Sequence, residues 1–430
     1  MTEIRAVHRF FPVGQGLFAA GSVEFWPPAR RRRRNIDTGG PPKPAPAGPY
    51  RWVYDCGTSS GRNLVTNAIS DLKRDCKGQK IDLLTLSHFH NDHISGAVEL
   101  LGAIGAKTVM LPWAPLWHRL LIGFEQGLSA DDPQMLFYTD PVQYLIQEAG
   151  DGFEQVLFVM PSDGEGPPFS AEPAAVPEPP EDEGDPDKPS RPGEPVSYGD
   201  LEGAYGDLDH RVRKLRSGEA IAVHEVWEFL PYNDPTTAPD DPFGFATKVE
   251  AYRGALLNGT EDERQNALDA LRTLFEATFG FGAKMNNVSM MLYGGAVGPW
   301  AGQRICNCEC LIQRIIGTCG CWKEHETRGS ILLTGDGNLK SAGKWYSLEQ
   351  YLDARRARRT SVFQVAPHGA RSNWHDGLAA VAAPKTSIFS SDPRNSYGHP
   401  HAEVLRDFWP FRPVQVDQQT GFSVTLLLER

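Results

Sequence analysis

Along the chain, apolar positions change period several times, and each change predicts an element. Residues 6–26 and 50–57 read as strand-like stretches, the first broken by Gly14, Gln15 and Gly16, which mark a tight turn. Helical spacing takes over at 63–73, a short apolar run follows at 81–87, and helical spacing resumes at 96–104. That is a strand, a polar loop and then a helix. Further on, 288–294, 330–335, 362–366, 386–390 and 422–428 read as strands, with helical stretches at 261–279 and 347–359 between them. Strands and helices alternate at both ends, which favours a layered α/β domain.

Two stretches interrupt this regularity. Residues 161–200 hold eleven prolines and eleven Asp or Glu with almost no large apolar side chains, so burial cannot offset the entropy of ordering them. They are expected to be disordered. Residues 27–49 begin with five consecutive arginines, Arg30 to Arg34, and continue as a Gly/Pro-rich linker. Both are read as insertions into one domain spanning 1–430, with a Cys-rich hairpin at 304–323 as a third. Most of the formal net charge of −11 sits in 161–200, where only Lys188 and Arg191 oppose the acids, so the remainder is close to neutral. Totals therefore predict neither a basic binding face nor a repelling one.

No run approaches the roughly 18–20 apolar residues that cross a bilayer, and residues 1–16 lack a leader pattern. A cytoplasmic protein without a membrane partner is expected. Seven cysteines are too few for a disulfide scaffold, and five crowd into 306–321, a grouping better suited to metal. Cys306 and Cys308, then Cys319 and Cys321, form two thiol pairs that suit one tetrahedral structural zinc; the alternative is free thiols on an exposed hairpin. Cys56 and Cys76 read as ordinary buried thiols.

Directly after the 81–87 strand come His88, His90, Asp92 and His93. Imidazoles suit zinc and related divalent ions, and a carboxylate can ligate, bridge or orient a water. On such a loop His88 and His90 can aim at one ion while Asp92 and His93 aim at its neighbour. The alternative is a solvent-exposed His-rich loop.

This stretch, SHFHNDH at 87–93, resembles the HxHxDH signature of the metallo-β-lactamase superfamily. FPVGQGLF (11–18), YDCG (54–57), NNVSMML (286–292), LLTGD (332–336), VAPHGA (365–370) and NSYGHPH (395–401) resemble, in order, motifs of the branch that includes the hydrolase-like domain of bacterial competence DNA-uptake proteins. The resemblance implies an αββα sandwich around a metal pair, most simply two Zn2+ with Mn2+ as an alternative. It also implies that Asp336 bridges the ions and that His368 is a donor to the second; read alone, they would be a turn residue and a capped loop histidine. Asp55 is expected to support the donors from behind. A third histidine for the first ion has no convincing motif among His118, His210 and His224, leaving His88, His90, Asp336 and water.

Two divalent ions about 3.5–4 Å apart generate hydroxide at neutral pH and stabilise charge on a carbonyl or phosphoryl oxygen, so hydrolysis is the expected activity. Asp92 and Asp336 are the candidate catalytic carboxylates. His399 either donates a proton to the leaving group or contacts an oxyanion, unless residues 398–400 are merely a rigid turn. Asn287 and Ser289 are expected to brace the sheet beneath. Three functions follow: hydrolysis of a phosphodiester or nucleic-acid-like substrate; hydrolysis of a small ester, thioester or lactone; or a metal-binding regulatory partner without turnover. The intact donor set argues against the third. Arg30 to Arg34 and Arg355, Arg356, Arg358 and Arg359 offer phosphate contacts, although a solvated linker and helix face are the simpler reading and no stacking aromatics accompany them. The insertions are candidate contacts for a protein partner.

Overall fold

The computed structural model describes residues 3–26, 48–128, 132–164, 166–167, 194–195, 211–224, 226–234, 242–279, 289–298, 300–305, 325–326 and 329–429. The expectations for the cysteine quartet, His210, Asn287, the arginine run, and nearly all of both Pro-rich stretches lie outside these residues.

Among the described residues there are two sheets. The first has eleven strands, in the order β13 (His325–Glu326), β12 (Ala301–Ile305), β18 (Phe422–Glu429), β1 (Glu3–Phe10), β2 (Ala19–Trp26), β3 (Tyr50–Tyr54), β4 (Ile81–Thr85), β5 (Ala106–Pro112), β6 (Phe153–Val159), β8 (Val212–Leu215) and β7 (Glu194–Pro195). From β3 to β8 the neighbours are parallel; towards β13 they are antiparallel. The second sheet has seven strands, β17 (Pro413–Val416), β16 (Thr386–Ser390), β15 (Thr360–Gln364), β14 (Ser330–Leu333), β11 (Met290–Ala296), β10 (Trp227–Asn233) and β9 (Ile221–Val223). Its β14 to β17 run parallel and the others antiparallel.

Alternation of side chains across each strand sorts the core into layers. Trp52, Tyr54, Leu83, Leu157, Phe229, Leu292, Leu333 and Ile388 point between the sheets. Val53, Leu84, Val109 and Val156 point to the other side of the first sheet, where helices including α1 (Arg62–Cys76), α2 (Asn91–Ile94), α3 (Ala97–Ala103), α4 (Leu116–Glu125), α5 (Pro133–Thr139) and α6 (Pro141–Ala149) lie in sequence before α7 (Pro242–Asn258) and α8 (Glu261–Phe279). Phe363 and Phe389 face the second helical layer, built from α9 (Ala342–Leu352), α10 (Ala354–Arg358), α11 (Leu378–Ala382) and α12 (Ala402–Phe408). The mixed α/β sandwich is the layered class that the pattern predicts.

Differences are local. The helix expected at 347–359 is two helices, because Asp353 takes a left-handed φ of 67° and its carboxylate accepts the Arg355 N–H at 2.8 Å, starting a new turn. β5, β6 and β10 escaped the pattern since they are buried on both faces and so lack a strict apolar–polar alternation. No helix among the described residues is long and apolar enough to cross a membrane.

Candidate metal centre

Carboxyl ends of parallel strands from both sheets meet at one edge, the usual place for a ligand in open α/β sheets. β3 delivers Asp55, β4 delivers the 87–93 loop, β14 delivers Asp336 and β15 delivers His368. Glycines let the loops close on one another. A Cβ on Gly57 would lie 2.5 Å from His93 backbone atoms, and one on Gly16 would lie 2.4 Å from the Gly57 carbonyl oxygen. In that space Leu17 N–H donates to Asp92 O at 3.1 Å and Cys56 N–H to His93 O at 2.8 Å. The glycines at 16 and 57 thus bring two early segments against the backbone of the histidine loop.

All six expected donors converge. His88 Nε2 lies 3.2 Å from His90 Nδ1 and 3.7 Å from Asp336 Oδ2; His93 Nε2 lies 3.1 Å from Asp336 Oδ1; His368 Nε2 lies 3.2 Å from Asp92 Oδ2 and 3.7 Å from Asp336 Oδ1. Three groups have ligand atoms within 4.8 Å of one another: His88, His93 and Asp336; His88, His90 and Asp92; and Asp92, His93 and His368. Asp336 reaches histidines from both ends of the cluster.

Acceptors behind the rings decide which nitrogen faces inward. His93 Nδ1 donates to Asp55 Oδ2 at 2.7 Å, His368 Nδ1 donates to the Ser390 carbonyl at 2.6 Å, and His88 Nδ1 meets Ser87 Oγ at 2.8 Å, which in turn bonds Asp55 Oδ2 at 2.7 Å. Each Nε2 is left to point into the cluster. Such bonds fix tautomer and orientation in metal-ligating histidines. Two inward atoms, His93 Nε2 and Asp336 Oδ1, are buried and face each other at 3.1 Å, with no well-formed hydrogen bond to any other group among the described residues. Buried polar atoms so placed are costly, and divalent cations held by this donor set of imidazoles and carboxylates would satisfy both. The residues fit the group.

The electrostatics agree. Burial alone would lower His93, but Asp336, Asp55 and Asp92 outweigh it and hold the ring well above the ordinary histidine range. Burial would raise Asp336; His93 and His368 outweigh that and hold it well below the carboxylate range. The cluster concentrates negative potential where positive charge is to sit. Asp55 and His368 both occupy left-handed backbone, at φ 56° and 53°, a cost of about 1–3 kcal/mol each for non-glycine residues that is retained at the two positions behind and beside the donors.

Several contacts were not legible in the sequence. Tyr138 Oη donates to the Phe89 carbonyl, Gln126 Nε2 reaches the same oxygen at 3.4 Å, and Gln126 Oε1 accepts the Asn91 N–H at 3.2 Å, so the helical layer braces the histidine loop. Ser289 behaves as expected, accepting the Asp336 N–H at 2.9 Å. His118 is buried and His224 exposed, and neither joins the donor groups among the described residues. His399 stands beside the cluster, its ring 6.4 Å from that of His368, with Nδ1 3.5 Å from Gln15 Nε2.

The arginine expectation is corrected. Arg356 is buried, with Nε and Nη2 on the two carboxylate oxygens of Glu228 at 2.7 and 3.1 Å, and Arg359 donates to the Gly298 carbonyl at 2.8 Å, whereas Arg355 stays exposed beside Asp353. Arg356 and Arg359 hold the fold together, a use that the clustering of arginines along one helix could not reveal.

A family model described as the metallo-beta-lactamase superfamily matches residues 51–206. That span carries Asp55, His88, His90, Asp92 and His93, while Asp336 and His368 lie beyond it. No curated protein matches the chain. The two-sheet arrangement with outer helices is consistent with the sandwich of that superfamily.

Proposed function

We propose that this chain is a metal-dependent hydrolase that cuts a phosphodiester in a nucleic-acid-like substrate, with divalent ions held by His88, His90, Asp92, His93, Asp336 and His368. The observation that carries this reading is the convergence of six imidazole and carboxylate donors, in three groups whose ligand atoms lie within 4.8 Å of one another, about the buried contact of His93 Nε2 with Asp336 Oδ1. Members of the superfamily whose model matches residues 51–206 are generally hydrolases. The order of the later motifs, including NSYGHPH, supports the competence-like branch and with it the phosphodiester.

Bound divalent ions supply Lewis acidity towards a phosphoryl oxygen and a nucleophile at neutral pH. The chain's own groups do the rest. Asp92, partly exposed and 3.2 Å from His368 Nε2, is the carboxylate placed to orient an attacking water. Burial, with help from His368 and His401, pushes His399 down to about 4, so its imidazole is neutral at physiological pH. A neutral ring is a weak proton donor but a good hydrogen-bond partner, which favours the oxyanion role over leaving-group protonation. Arg371 and Arg394, exposed on the segments that carry His368 and His399 and paired there with Glu403 and Asp392, are the cations nearest the site for phosphate contacts.

The test combines metal analysis with a substrate panel of bis(4-nitrophenyl) phosphate, single-stranded and duplex oligonucleotides, a lactone and a thioester. Asp92→Asn and Asp336→Asn keep the volume but remove the charge, and each should lower phosphodiester cleavage at least about a hundredfold. Parental rates with metal retained in both variants would overturn the hydrolase reading. Turnover confined to the lactone or thioester would move the substrate class and leave the chemistry standing.

A further inference from the structure

We infer that Tyr397 is a substrate-binding residue whose outer ring face receives an unpaired nucleobase next to the bond being cut. This rests on the phosphodiester reading above and narrows it to single-stranded substrates or strand ends.

Three rings form a staircase out of the candidate centre. The His399 ring lies 6.4 Å from that of His368 with the planes 18° apart, and the Tyr397 ring lies 5.9 Å from that of His399 with the planes 20° apart. The first step is a buried donor and the last is in solvent. Tyr397 is 63% exposed, one of four large apolar side chains so exposed among the described residues; with Tyr346, Val381 and Trp409 no ring contact to the cluster exists among those residues. The phenol thus lies nearly parallel to the His399 ring and offset from it, with most of its surface in solvent. The backbone beneath it is held: Tyr397 N–H donates to Asn395 Oδ1 at 3.1 Å, Gly398 N–H donates to Asn395 O at 3.1 Å, and Gly398 turns the chain at φ 65°.

An aromatic ring held flat beside a hydrolytic centre offers what a base lacks once its own stack is opened. Stacking on such a ring tolerates any sequence, because every base has a π face, and needs the base to be unpaired. Arg394, 60% exposed and tethered to Asp392 at 3.3 Å, adds a cation on the same loop for the adjoining phosphate. The staircase thereby links the place of cleavage to the place where a flanking nucleotide would lie.

The experiment uses the metal-loaded full chain and two dinucleotides, one carrying 2-aminopurine and one without bases, each also made with a slowly cleaved phosphorothioate link for equilibrium binding. Tyr397→Ala should raise KM for the base-bearing substrate roughly tenfold with kcat within about twofold, and should leave the KM of the abasic one unchanged. It should also abolish the quenching of 2-aminopurine fluorescence on binding, and Tyr397→Phe should restore both. Unchanged KM and quenching in Tyr397→Ala, or an equal rise for the abasic substrate, would overturn the stacking role alone. A parent protein that neither binds nor cuts either dinucleotide would overturn the phosphodiester reading and this inference together.

Discussion

His8 and His93 are both fully buried, and their surroundings push their pKa values in opposite directions. On β1 the inward positions are Ile4, Ala6, His8 and Phe10, so His8 points between the sheets, its ring 5.7 Å from Trp52 and 6.2 Å from Trp227. Neither of its nitrogens has a hydrogen-bond partner, and nor have Trp52 Nε1 and Trp227 Nε1. Burial pushes this ring down to about 3, with nothing opposing. At His93 the same burial is overruled by three carboxylates. Depth alone therefore does not mark a histidine as chemical. What marks it is a carboxylate behind one nitrogen and unsatisfied donors in front of the other.

The largest effect expected from breaking the contrast is on the His93 side. Asp55→Asn removes the charge that orients His93 Nδ1 without touching a proposed donor, and metal affinity, measured by competition with a chromophoric chelator, should fall about 10–100-fold. An unchanged affinity would mean that Asp55 serves the fold only. His8→Leu, by contrast, should leave metal content unchanged and alter acid stability. Its folded pKa of about 3 lies below the unfolded 6.5, so below pH 6.5 the unfolded chain gains a proton that the folded one refuses, and stability is lost as pH falls towards 3. Between pH 6.5 and 5 the parent should lose about 2 kcal/mol more unfolding free energy than His8→Leu, at about 1.4 kcal/mol per pH unit. Parallel stability curves for the two proteins over that range would refute the assignment. Smallest is Tyr138→Phe, which deletes one hydrogen bond to the loop between His88 and His90 and should cost about 1 kcal/mol in denaturant unfolding with a few-fold weaker metal binding.

The same contrast explains what could be read from the chain and what could not. His88, His90, Asp92 and His93 are adjacent in sequence, so their chemistry is visible as a pattern, and Asp336 and His368 follow from the motifs around them. Ser87 sits beside His88 and could have been found as the short hydroxyl that links the His88 ring to a carboxylate. Tyr138 and Gln126 reach the site only through packing of distant elements, and nothing local to them differs from ordinary helix residues. Arg356 was misread for the same reason, since Glu228 lies on another strand far away in sequence. His8 was lost because a polar residue in an alternating strand normally faces solvent.

All eight residues of β1 pair on both sides, from Glu3 opposite Trp26 to Phe10 opposite Ala19, and from Glu3 opposite Glu429 to Phe10 opposite Phe422. During synthesis the first of these strands to emerge keeps one edge bare until the last one arrives. Pairing across that separation is slow to find, and a waiting edge invites other chains. The loop that carries Gln15, and that braces Asp92 through Leu17, hangs from this strand. A chain cut before residue 422 should therefore leave one edge of β1 unpaired, and is expected to aggregate more readily than the full chain when the two are compared by light scattering.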